Sequence, residues 1–138
     1  MGVMVSATPS WSIHHEADGG LSMVWSGPFD LEELLASATA LGEADPDEQA
    51  PYIVQDLREM TVDSVAIETL HQLASRVPSR FPRPTSFRSA IIATGAVAEA
   101  FTEYVAVRDL ASARSPQRLP PIRVFPDVEL ALSWARGS

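Results

Sequence analysis

A polar stretch between residues 56 and 64 carries the side chains best suited to chemistry or recognition. It reads DLREMTVDS and contains Asp56, Arg58, Asp63 and Ser64. A short apolar run precedes it, and residues with helical spacing follow it. A strand that leads through such a turn into a helix presents the turn at the carboxyl edge of an α/β sheet, where ligands and partners usually bind. The sequence therefore predicts a regulatory or partner-binding site at these four residues.

Asp63 and Ser64 also have a purely structural interpretation. Both residue types are preferred N-caps, because their side-chain oxygens accept a backbone N–H from the first helical turn. A phosphate on a hydroxyl at the same place would be stabilised by the free N–H groups and the helix dipole. The sequence leaves both interpretations of Ser64 open, as a helix cap and as a regulatory hydroxyl.

Ser64 is also the candidate nucleophile for a hydrolase, with Asp56 or Asp63 and a histidine completing a catalytic triad. No Gly-x-Ser-x-Gly turn surrounds it, although that turn is the usual setting for such a serine. The sequence also places no histidine in a loop at the carboxyl edge. Hydrolysis is therefore the weaker alternative.

Neither a metal nor a cofactor is expected. His14 and His15 are adjacent on a predicted strand, so that their rings point to opposite faces. His71 has no carboxylate or second histidine four residues away, and the chain has no cysteine. The segment 94–96 contains one glycine after a strand, whereas the dinucleotide-binding fingerprint needs three.

The segment 76–88 combines three prolines with four arginines, and prolines exclude a regular helix there. Its arginines either pair with surface carboxylates or form a binding site for an anionic partner or headgroup. The four residues are Arg76, Arg80, Arg83 and Arg88.

The elements that must position these residues follow from periodicity and turn signals. We predict a hairpin over residues 11–25, a helix from Asp30 to about Gly42, and a strand from Tyr52 to Asp56. Later elements are a helix over 64–75, a strand over 89–94, a helix after Gly95, a strand over 122–125 and a terminal helix. This ββαβαβαβα order predicts one α/β domain with a mixed, mostly parallel sheet in which only the first strand is antiparallel.

Composition limits the class of protein further. The chain has 138 residues, 46% of them hydrophobic, and a net charge of −8. That charge disfavours nucleic acid and anionic membranes as partners. No apolar run is long enough to span a bilayer, so we expect a cytoplasmic protein without a stable membrane anchor. Residues 1–10 are expected to be flexible and residues 11–138 to form the domain.

Three local stretches, together with the order of elements, resemble those of a known superfamily. They are Asp56-Leu57 followed by DSVAI at 63–67, AIIA at 90–93 before a helix, and VFPD at 124–127 with ALSW at 131–134. In these the chain resembles the SpoIIAA-like superfamily of anti-sigma factor antagonists and STAS domains. The likeness is greatest to its stand-alone bacterial branch of the STAS/SEC14 type, and it spans residues 11–136.

The resemblance implies a SpoIIAA-like fold and places the phosphorylatable serine of the antagonists at Ser64. Val65 and Ala66 stand where that motif has a second serine and a glycine, which weakens the inference of phosphorylation. The implied function is a non-enzymatic regulatory module that binds another protein or its own copy. The alternative is a carrier that holds a small apolar or anionic-headed ligand between a helix and the sheet.

Overall fold

The chain follows the predicted ββαβαβαβα order. The computed structural model describes residues 8–74, 86–114 and 119–137. The strands are β1 (Ser10–His15), β2 (Leu21–Pro28), β3 (Tyr52–Thr61), β4 (Arg88–Ile92) and β5 (Ile122–Phe125). The helices are α1 (Leu31–Ala44), α2 (Ser64–Ala74), α3 (Gly95–Ala113) and α4 (Val128–Ala135).

The predicted hairpin is confirmed. Strands β1 and β2 pair antiparallel, with Trp11 opposite Trp25 and His15 opposite Leu21. The turn between them contains Gly19 at a φ of 90°, a conformation that glycine adopts without the strain a side chain would cause. Both arms of the predicted hairpin are therefore present in the structure.

The sheet is five-stranded with the strands in sequence order, and every neighbouring pair after β1–β2 is parallel. Right-handed crossovers in this order place all three connecting helices on one face of the sheet. That face carries the larger core, which includes Met23, Trp25, Leu57, Leu70 and Phe101. Helix α4 covers the other face. Its smaller core includes Tyr52, Val54, Ile92, Ala131 and Ala135.

Strand β3 is longer than predicted. We expected it to end at Asp56, but it continues to Thr61. The pairing with β2 shifts register between Val24 and Ser26 and then resumes through Thr61, as at a β-bulge. The predicted polar turn is therefore mostly strand. Its outer end stays in the sheet because Leu57 and Met60 are both buried.

The helix starts follow the predicted caps more closely than the helix ends. The Asp30 carboxylate accepts the Glu33 backbone N–H at 3.0 Å, which confirms Asp30 as the N-cap of α1. The Glu33 carboxylate accepts the Trp11 indole N–H at 2.8 Å, so this acid links α1 to β1. Helix α1 continues to Ala44, two residues past the predicted end at Gly42.

Candidate functional site

The N-terminus of α2 lies at the carboxyl edge of the sheet, where β3 ends. The Asp63 carboxylate accepts the Ala66 backbone N–H at 2.8 Å, and the Asp63 carbonyl accepts that of Ile67. Asp63 is therefore the N-cap, and the expectation that Ser64 caps the helix is wrong. Ser64 is instead the first helical residue. Both residue types can cap a helix, and Asp63 does so because it directly precedes the first turn.

This position leaves a small exposed surface at the start of α2. Asp63, Ser64 and Val65 are all exposed, and 70% of Val65 is accessible to solvent. Ala66, the next residue, is buried. We call Asp63, Ser64 and Val65 the α2 tip. It combines an acid, a hydroxyl and an apolar side chain at the start of a helix.

Asp56 and Arg58 form a pair of their own on β3. The Arg58 guanidinium donates to both Asp56 carboxylate oxygens, at 2.9 and 2.7 Å, and the Arg58 backbone N–H donates to the same side chain. These hydrogen bonds from Arg58 hold the pKa of Asp56 below its usual value. The ion pair in turn raises the pKa of Arg58. The pair lies on the part of β3 where the pairing with β2 shifts register.

The predicted arginine site is only partly described. Arg76, Arg80 and Arg83 lie outside the described residues, while Arg88 begins β4. The Arg88 guanidinium donates to the Trp134 carbonyl and lies 5.3 Å from the centre of the Trp134 ring. Arg123 stacks on the same ring at 5.5 Å. Arg88 therefore contributes to the attachment of α4.

The three histidines of the chain do not approach Ser64. Residues 14 and 15 end β1 opposite the start of β2, which is the amino edge of the parallel sheet, whereas Ser64 lies at the carboxyl edge. His71 lies two turns along α2, about 10 Å from Ser64 along the helix axis, and pairs with Glu103 of α3 at 2.7 Å. The geometry therefore does not assemble the predicted hydrolase triad.

Within residues 8–74, 86–114 and 119–137, no group of three or more histidine or acidic side chains could hold a metal ion. In the same ranges, no helix is both long and apolar enough to cross a membrane.

A feature that the sequence reasoning missed is a cavity of about 420 Å³ between α1 and the α2–α3 pair. Arg108 of α3 lines it, although only 7% of this residue is accessible to solvent. Its spacing from Phe101 and Tyr104 is seven and four residues, which places it on the apolar stripe of the helix. An arginine on a buried stripe was thus a signal available in the sequence.

Comparison with known proteins supports the resemblance at the level of the fold. No family model matches the chain, and no curated protein matches it by sequence. An anti-sigma factor antagonist from Mycobacterium paratuberculosis is similar in structure, with a TM-score of 0.55 and 18% identity over 97% of this chain and 99% of that one. An uncharacterised protein of the DUF3478 family from Shewanella loihica, described as having a SpoIIAA-like fold, is also similar. Its TM-score is 0.52 and its sequence identity 21%, over 96% of this chain and 99% of that one. Together with the five-stranded mixed sheet and four helices, these likenesses show that the protein has a SpoIIAA-like fold.

Proposed function

We propose that the protein is a non-enzymatic regulatory module that acts by contact with another protein, and that the α2 tip is its contact surface. The observation that carries this proposal is the exposure of Ser64 and Val65 on the first turn of a helix whose next residue is buried. An exposed apolar side chain beside a hydroxyl suits a protein partner, because apolar contact provides affinity and the hydroxyl provides a place for control. The structural likeness to an anti-sigma factor antagonist is consistent with such a role.

The same geometry would let Ser64 serve as the point of control. A phosphate there would lie in the first turn of α2, where backbone N–H groups lack intrahelical partners and the helix dipole favours negative charge. The negative charge of Asp63 would repel this phosphate, and the Asp63 carboxylate already accepts the hydrogen bond from the Ala66 N–H. Arg58 is engaged by Asp56 and does not offset this repulsion. We propose contact through the α2 tip as the function and phosphorylation of Ser64 as its regulation, with the first-turn N–H groups and the helix dipole acting against the charge of Asp63.

The test is capture of partners from an extract of the source cells by tagged protein. Val65→Asp should abolish capture of a stoichiometric partner, because it places a charge at the centre of the apolar contact. Leu110→Asp is the matched control, since Leu110 is 68% exposed but lies on α3. This control should capture the partner as wild type does. Sedimentation of the isolated protein shows whether a second copy takes the partner's place.

Regulation is tested separately with Ser64→Asp and Ser64→Ala. If a phosphate at Ser64 controls binding, the two variants should differ in the amount of partner captured while both remain folded. Identical capture by wild type and both variants would refute the switch and leave the contact surface standing. Equal capture by wild type, Val65→Asp and Leu110→Asp would refute the surface itself.

A further inference from the structure

The cavity beneath α1 has the size and lining of a small-molecule site. Its volume of about 420 Å³ lies within the range of roughly 300–1,000 Å³ usual for such sites. Helix α1 packs chiefly against β1, whereas α2 and α3 pack against each other, and this leaves the space between them open. Most of the lining is apolar and includes Leu34, Leu70, Ile91, Phe101, Leu119 and Ile122.

Arg108 is the charged residue among the described residues that line this cavity. One of its terminal nitrogens donates to the Pro120 carbonyl at 2.8 Å. The other lies 3.6 Å from an Asp109 carboxylate oxygen, and the Asp109 side chain is 63% exposed. That separation is too long for a good hydrogen bond, and a solvated carboxylate compensates a buried charge weakly.

A buried guanidinium with so little compensation is costly. Burial accordingly lowers the pKa of Arg108. A ligand anion in the cavity would add a partner of opposite charge for Arg108, because the planar fork of arginine matches carboxylates and phosphates. Tyr104 lies one turn before Arg108 on the same helix and also lines the space.

A second cavity of about 340 Å³ adjoins the first. The two share Ala38, Gln55 and Ser89, and the second one continues along α1 past Leu41 to Phe87. Arg108 lines only the first cavity. Leu21, Leu41, Ile53 and Phe87 give the second cavity a mainly apolar lining, and Asp45 and Glu48 lie beside it after α1. Arg108 and these acids therefore lie at different parts of the space that the two cavities form beneath α1.

We propose that this space binds a single-chain amphiphile with an anionic head. The head, a carboxylate or a phosphate, accepts hydrogen bonds from Arg108, and the chain lies under α1 towards the second cavity. This site is separate from the α2 tip. Its success or failure is therefore independent of the proposed protein contact.

The test is equilibrium dialysis of the full chain against labelled palmitate, hexadecyl phosphate and hexadecan-1-ol below their aggregation concentrations. The two anions carry the same chain as the alcohol, so the comparison isolates the head. At least one anion should bind about tenfold more tightly than the alcohol, the effect of one hydrogen bond to a charged group. Whichever anion binds better identifies the head. Failure of both anions to bind, or equal binding of all three ligands, would overturn the proposal.

Two pairs of variants locate the site. Arg108→Gln should remove the preference for the anion, whereas Arg114→Gln, which removes an exposed charge at the end of the same helix, should keep it. Ala38→Trp should block binding because Ala38 lies where the two cavities meet. Its control, Ala36→Trp, adds the same ring at another exposed position of α1 and should bind normally. Unchanged binding in Ala38→Trp would refute the location even if Arg108→Gln failed to fold.

Discussion

Asp63 and Ser64 are both able to cap a helix, but their side chains have different surroundings in the structure. The Asp63 carboxylate meets the Ala66 N–H at 2.8 Å, while Ser64 is exposed on the first turn. Capping therefore depends on Asp63. The Ser64 hydroxyl is free of that task, and this is what makes a regulatory role at Ser64 compatible with a stable helix.

Replacement of Asp63 should show this division directly. We expect Asp63→Ala to lower the free energy of unfolding by about 1 kcal/mol, the usual cost of losing an N-cap. Ser64→Ala should change it by less than about 0.5 kcal/mol, as exposed substitutions do. Urea denaturation of both variants measures the difference. An equal loss in the two would mean that Ser64 shares the capping.

At the scale of elements, the packing of the hairpin against β3 depends on a glycine. A Cβ built on Gly20 would lie 2.1 Å from the Tyr52 ring, far inside contact distance. The ring cannot yield easily, because Tyr52 is buried and its hydroxyl donates to the Asp18 carboxylate at 2.8 Å. The β1–β2 turn is thus fitted to the start of β3.

We expect Gly20→Ala to destabilise the protein by about 1–3 kcal/mol, the range for overpacking a well-packed site. Gly42→Ala is the matched control, because Gly42 is in α1 and a Cβ there meets nothing within 4 Å. Alanine at this helical position should stabilise by roughly 0.5–1 kcal/mol. Thermal unfolding of the two variants should give shifts of opposite sign, and a shift of the same sign in both would contradict the packing argument.

At the scale of the whole molecule, Asp18, Tyr52 and Arg136 connect distant parts of the chain. The Asp18 carboxylate accepts hydrogen bonds from the Tyr52 hydroxyl at 2.8 Å and from the Arg136 guanidinium at 3.1 Å. These contacts join the hairpin turn, the start of β3 and the end of α4. The hydrogen bond from Tyr52 is the main cause that lowers the pKa of Asp18, followed by the one from the Gly20 N–H.

This lowered pKa predicts a dependence of stability on pH. The ionised form of Asp18 is favoured in the folded state, so its contribution is complete well above the usual pKa of 3.8 and is lost as the pH falls from about one unit above that value through the lowered pKa. Asp18→Asn should therefore make the free energy of unfolding fall less steeply with pH below about pH 5. The variant still loses stability at low pH, because Asp56 also has a lowered pKa.

The measurement is urea denaturation at a series of pH values. Asp47→Asn serves as the control, because Asp47 is an exposed acid in the loop before β3, and its slope should match that of wild type. A slope for Asp18→Asn equal to that of wild type would contradict the argument.

The sequence by itself determined the order and kind of the elements, because these depend on local patterns. Alternation of apolar and polar residues from Trp11 and up to Trp25 predicted the hairpin, and the structure added the register in which its arms pair. Asp30 before an apolar helical stripe predicted the start of α1. Strands alternating with helices predicted a mostly parallel sheet, because a parallel pair requires a crossover. The exposure of Ser64 followed from its place at the junction of a strand and a helix.

Only the tertiary structure decided where β3 ends, which residue caps α2 and where the sheet leaves space. Strand β3 reaches Thr61 because β2 continues beside it and supplies hydrogen-bonding partners after the shift in register, a contact that the local sequence of β3 does not encode. Arg108 lines a cavity because α1 lies against β1 and leaves space beside α3. Such a cavity depends on how far apart separate helices pack on one sheet, and the local periodicity of each helix carries no information about the distance between helices.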